Sequence, residues 1–134
     1  MEAKADEQFG PLVAKASRKR ASELSRAIFG HEDTGHLRYQ LLHGMAGTLI
    51  EAKSMSASMS VFLVQEFHHN RLSRKRLEQN DSDFRLFVSA LQGGRAPEVA
   101  IGLFGPFQVP GNTDFIPTHI PAYLGRVVTD LDAK

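Results

Sequence analysis

The chain lacks cysteine altogether. That absence excludes disulfide scaffolds, thiol catalysis and cysteine-bound zinc or iron–sulfur centres, and it suits a reducing compartment, so a cytoplasmic location is expected. Long hydrophobic runs are missing too. The longest, such as Val61-Phe62-Leu63-Val64, fall far short of the roughly 18 apolar residues that a membrane-spanning helix needs, so no membrane partner is expected. The opening Met1-Glu2-Ala3-Lys4-Ala5-Asp6-Glu7 has no apolar stretch behind a basic start, and no secretory signal is expected either. An excess of one charge is also missing, since 16 Lys and Arg face 15 Asp and Glu. The resulting pI of about 8.1 lies below the ~9 that domains holding nucleic acid by charge alone usually exceed.

What is present is an ordinary globular mixture, 42% apolar and 23% charged over 134 residues. That length suits one domain, residues 1–134, large enough to bury a core without disulfide or metal. The charge is uneven along it: twelve Lys and Arg against eight Asp and Glu up to Leu77, then four against seven from Glu78 onward. The basic excess gathers in Lys15, Arg18, Lys19, Arg20 and Arg26, and again in Arg71, Arg74, Lys75 and Arg76. No aromatic ring interleaves with either cluster, as a stacking platform for bases requires, so both read first as solvated surface.

Gly10-Pro11 opens a segment running to Phe29-Gly30, with Leu12, Val13, Ala16, Leu24, Ala27 and Ile28 among basic residues; proline at the first turn and glycine after the last predict a helix. The clearest periodicity is Leu37, Leu41, Leu42, Met45, Ala46, Leu49 and Ile50, a helical face. Small Ala46, Gly47 and Ala52 would let it approach a sheet closely. Met59–Phe67 follows as a β-rich run whose continuous apolar stretch predicts an interior strand buried on both faces. A polar, basic connector to Asn80 leads to a short helix capped by Asp81 or Ser82 and ended by Gly93-Gly94. Beyond it, Val99, Ile101 and Leu103 alternate, Pro106, Pro110, Pro117 and Pro121 punctuate, and Ile120–Val128 is apolar, predicting two closing strands. The expected class is α/β or α+β, a mixed central sheet flanked by helices.

The densest polar constellation is Glu2-Ala3-Lys4. If Met1–Ala5 is a strand, period-two alternation puts Glu2 and Lys4 on one face. A carboxylate beside an ammonium suits a divalent cation and a water near a phosphodiester, the carboxylate binding Mg²⁺ and the lysine orienting water or charge. The spacing alone is common: Glu51-Ala52-Lys53 repeats it at a helix end, where i and i+2 do not share a face. Other constellations are weaker. His31, His36 and His43 are scattered, and His68-His69 reads as a loop pair. Ser54, Ser56, Ser58 and Ser60 lack a G-x-S-x-G setting. Asp6 and Glu7 are adjacent, so on a strand they face opposite ways. Gly102, Gly105 and Gly111 form no phosphate loop.

Three strings carry a resemblance: Glu2-Ala3-Lys4-Ala5-Asp6-Glu7-Gln8-Phe9-Gly10-Pro11, then Leu37-Arg38-Tyr39-Gln40-Leu41-Leu42-His43, then Ala46-Gly47-Thr48-Leu49-Ile50-Glu51-Ala52. With Val64-Gln65-Glu66-Phe67, Asp83-Phe84-Arg85-Leu86-Phe87 and Ile120-Pro121-Ala122-Tyr123-Leu124-Gly125, they cover nearly the whole chain. On these residues the sequence resembles an uncharacterised bacterial family of PD-(D/E)XK, restriction-endonuclease-like, nuclease-fold proteins, matched from its E-x-K strand onward. The resemblance implies a metal-dependent phosphodiesterase acting on DNA, with Mg²⁺ as cofactor. Glu2 would be the metal ligand and Lys4 the catalytic lysine. Gln40 and Arg38 would lie on the following helix near substrate, and Lys15, Arg18 and Lys19 would face phosphate. The family's earlier strand, which carries the first acidic ligand, has no counterpart here, so the domain is expected to be N-terminally incomplete and its activity impaired. A non-catalytic protein-binding or inhibitory module is the alternative. An N-terminal strand without those neighbours leaves an exposed edge, which predicts a homodimer or a protein partner through Met1–Glu7 or Val99–Leu103.

Overall fold

The computed structural model describes residues 2–4, 9–16, 18–68, 74–95, 97–98, 101–111 and 115–131. The elements in chain order are β1 (Glu2–Lys4), a 3-10 turn (Val13–Lys15), α1 (Arg18–Phe29), α2 (Tyr39–Ser54), β2 (Ser60–His68), α3 (Arg74–Gln92), β3 (Gly102–Phe107) and β4 (Ala122–Asp130). The class is the expected one, a mixed sheet with helices. Its strand order is β1-β2-β4-β3, with β1, β2 and β4 mutually parallel and β3 antiparallel to β4. β2 is interior, as its apolar run predicts, while β1 and β3 form the two edges. Of the β3 region, Val99 lies outside the described residues.

The sheet has two unlike faces. Ser60, Phe62 and Val64 of β2 are buried, level with Ala122, Leu124 and Arg126 of β4, and Glu66, level with Val128, is buried too, whereas Val61 is 46% exposed and Leu63, Gln65 and Phe67 are partly exposed. The expectation that β2 is buried on both faces is therefore corrected: its continuous apolar run has one half against helices and the other half open. α2 lies on the covered face with Leu41, Leu42, Met45, Ala46, Leu49 and Ala52 buried, which is the periodic face read from sequence. The close approach occurs at Gly44, where a Cβ would stand 2.2 Å from the Phe62 ring, while nothing lies within 4 Å of a Cβ at Gly47. α3 stands on the same face, the Phe84 ring 5.8 Å from that of Phe104. α1 packs against α3 through Phe29 and Phe87, whose rings meet edge to face at 5.3 Å.

Two helix boundaries differ from expectation. The segment from Pro11 is no single helix, because Leu12 makes an antiparallel bridge to Arg38 and Val13 N–H donates to the Leu37 carbonyl at 2.8 Å. Backbone groups committed to that pairing cannot also serve a helical ladder. α3 begins at Arg74 rather than Asp81, and the basic connector supplies its first two turns. Arg74 and Glu78 pair at i,i+4, Gln79 donates to Asp83 at 3.2 Å, and Asn80 is buried; such contacts hold a polar stretch helical without an apolar stripe.

Candidate functional site

Charged side chains converge where the parallel strands end. In an open sheet with parallel strands this carboxyl end is the usual place for ligands. β1 runs beside β2 with Glu2 level with Val64 and Lys4 level with Glu66. Alternation along β2 sends Glu66, like Phe62 and Val64, into the helix-covered layer, where an unpaired carboxylate would cost several kcal/mol. Arg126, reaching the same layer from β4, meets it: the guanidinium Nε donates to Glu66 Oε2 at 2.7 Å and Nη2 donates to the same oxygen. Nη1 donates to Asp81 Oδ1 of α3, and the guanidinium carbon stands 5.8 Å from the centre of the Phe84 ring. Both Glu66 and Arg126 are 1% exposed. His68 Nε2 lies 3.5 Å from Glu66 Oε2, while Glu66 Oε1 is buried with no hydrogen-bond partner.

Asp81 also lines an open cleft of about 390 Å³ with Glu78, Ser82, Arg85 and Leu86. These residues form a stripe along α3, and Arg85 presents a buried Nε with no hydrogen-bond partner. The cleft thus mixes two carboxylates, a hydroxyl and a guanidinium, and through Asp81 it touches the buried Glu66–Arg126 pair. An occupant of the cleft that competes for Asp81 would remove one of the acceptors that hold Arg126.

The residues singled out from sequence are distributed as follows. Glu2 and Lys4 are in a strand, as expected, and their backbone register is described; their side chains lie outside what the structure describes. Arg38 is the residue before α2 rather than within it. Its Nε donates to Asp83 Oδ2 at 2.8 Å and its Nη1 to the Gly10 carbonyl at 3.1 Å, so its guanidinium ties the Phe9–Pro11 loop to α3. Gln40 N–H donates to the Phe9 carbonyl at 3.2 Å and Tyr39 N–H to that of Pro11 at 2.9 Å. The strings Phe9-Gly10-Pro11 and Arg38-Tyr39-Gln40 are therefore zipped together. Gly10 has φ of 74°, a left-handed backbone that costs a side-chain-bearing residue, and a Cβ there would come within 2.7 Å of Gln40 Cγ. The Gln40 Oε1 is buried without a partner. Lys15, Arg18 and Lys19 are exposed, gathered at the 3-10 turn and the start of α1.

Mg²⁺ takes several oxygen ligands, carboxylates among them. Among the described residues no group of three or more His, Asp or Glu side chains is placed to hold a metal ion, and the carboxylate level with Lys4 is already neutralised by Arg126. The described side chains do not fit that cation. Glu66, Asp81 and Arg126 were missed from sequence; the only signal is a charge inside each apolar strand, in Val64-Gln65-Glu66-Phe67 and Leu124-Gly125-Arg126-Val127.

Residues 1–129 match the family described as a domain of unknown function, DUF6946. The chain belongs to that family. The match takes in every element from β1 to the last residues of β4, and so both the zipped loop and the buried ion pair. No curated protein and no solved structure matches the chain. Among the described residues no helix of this DUF6946 member is long and apolar enough to cross a membrane.

Proposed function

We propose that the chain is a PD-(D/E)XK nuclease-like protein of the cytoplasm whose phosphodiester chemistry on DNA is impaired. The observation that carries the reading is the register of β1: a strand bearing E-x-K lies parallel to β2, reached through α2, with Lys4 level with the buried carboxylate of Glu66. In this reading Glu2 and Lys4 are the residual catalytic pair, with Glu2 the ligand for Mg²⁺. Gln40, in the first turn of α2, touches the substrate, and Lys15, Arg18 and Lys19 receive phosphate. Arg38 acts by holding the Phe9–Pro11 loop beside the helix. Impairment follows from Glu66, whose charge is spent on Arg126 rather than left for a cation. Incubating labelled DNA with Mg²⁺ or Mn²⁺ tests this: slow cleavage is expected, abolished by Glu2→Gln and by Lys4→Ala. Cleavage that survives chelation or both substitutions would place the chemistry elsewhere.

No cleavage with either metal favours the second reading, a non-catalytic protein-binding module. A specific observation supports that reading too, namely the apolar face of the sheet that none of the described helices covers.

A further inference from the structure

We propose that this uncovered sheet face is a self-association surface on which a second copy of the chain packs, sheet against sheet. Val61, Leu103 and Val127 on it are 46%, 61% and 42% exposed, with Leu63, Phe67 and Tyr123 partly exposed among them. Met59, Ile101 and Leu131, at the ends of β2, β3 and β4, are also exposed. These strands and their ends thus hold six of the nine large apolar side chains that the described surface exposes, a concentration that scattered surface hydrophobes do not show. The centre is level: Gly125 contributes no side chain, and a Cβ there would lie 2.9 Å from Leu63 Cδ1 and 3.3 Å from Leu103 Cδ1, so the two leucines close over it.

The chemistry of the face selects its occupant. The described β2, β3 and β4 residues on it include no charged side chain; its polar groups are those of Gln65 and Thr129 and the Tyr123 hydroxyl. A polyanion or a charged peptide finds no complement there, whereas an identical apolar face does, and a two-fold pairing of the same patch is self-complementary by symmetry. Sheets stack in this way at about 10 Å. The strand lengths give a flat footprint of roughly 400 Å². With the exposed side chains at its ends it approaches the ~600 Å² per partner of the smaller specific interfaces, the range of weak, reversible association. The edges are poorer candidates. β1 has three residues, and β3 contains Pro106, which has no N–H to give, beside a register shift between Phe104 and Phe107; both features blunt edge pairing.

The inference stands whether or not the chain cleaves DNA. Sedimentation of the full chain from about 1 to about 100 µM, concentrations at which weak association is populated, should show a reversible monomer–dimer equilibrium. Leu103→Glu and Val127→Lys, on different strands, should each weaken it by about a hundredfold or more, since each buries an unpaired charge in the interface. Both residues are exposed in the monomer, so the melting temperature should stay close to that of the parent; Val61→Thr is the milder variant if either fails to fold. A monomer at every concentration, leaving the face to some other chain, overturns the proposal. A dimer that both charged variants leave intact overturns it as well, as pairing through β1 or β3 would produce.

Discussion

The two faces of one sheet carry side chains from the same three strands and treat them in opposite ways. On the helix-covered face Phe62, Val64 and Leu124 are sealed under α2 and α3 together with a carboxylate and a guanidinium. On the other, Val61, Leu103 and Val127 meet solvent. Apolar character is thus common to both faces, and what separates them is where charge is admitted. The covered face holds Glu66 and Arg126 because they neutralise each other; the open face, in its described part, admits none. Burial without an ionic pair and exposure without charge are both costly, the first in desolvation and the second in association.

The largest expected effect tests the ionic half of that contrast. Glu66→Gln takes from the buried Arg126 the carboxylate that its Nε and Nη2 both reach, with Asp81 kept as a partner among the described residues, and should cost about 3–5 kcal/mol of stability. The paired change Glu66→Leu with Arg126→Met removes both charges at similar volume and should recover most of that loss. Urea denaturation of the two variants measures both values. A single variant as stable as the parent would mean that the pair is solvated, and the faces would then differ far less than their burial indicates.

A smaller effect sharpens the contrast between buried and surface charge. The Ser22 hydroxyl and the Arg26 guanidinium hold the Glu32 carboxyl below its usual range, and Arg26 Nε donates to it at 2.9 Å in full solvent. Because the folded-state value is the lower one, the contribution is complete above the unfolded carboxylate range and disappears as pH falls through the folded value. Glu32→Gln should therefore lower the melting temperature slightly at neutral pH and leave it unchanged in strong acid. An exposed pair contributes little, so melting temperatures that agree throughout would make this pair negligible, while a large gap would contradict its exposure.

Much of this architecture is legible in the sequence. The face from Leu41 to Leu49 defines α2 because apolar residues recurring at a 3.6 period line one side of a helix and would scatter over both sides of a strand, and Met59–Phe67 marks an interior strand. The same run misleads about its second face, since a continuous apolar stretch is equally the signature of a strand whose open side awaits a partner. Arg74–Asn80 reads as a connector because its helix is held by polar contacts, which periodicity does not register. Arg38 and Gln40 were visible as candidates, but that Arg38 binds Asp83 and Gly10 depends on the meeting of three distant segments. Glu66 and Arg126 are sixty positions apart, and pairing at that separation leaves no local pattern.

The central claim is that one strand, β2, is core on its even positions and surface on its odd ones. Val64→Ala and Val61→Ala put it to a direct test by urea denaturation at a concentration where the chain is monomeric. Val64 is fully buried and Val61 is 46% exposed, so the first should cost about 2–3 kcal/mol through lost burial and a residual cavity, and the second less than about 0.5 kcal/mol. Equal costs at the two positions would contradict the account, because they would show that both faces of β2 are packed within a single chain.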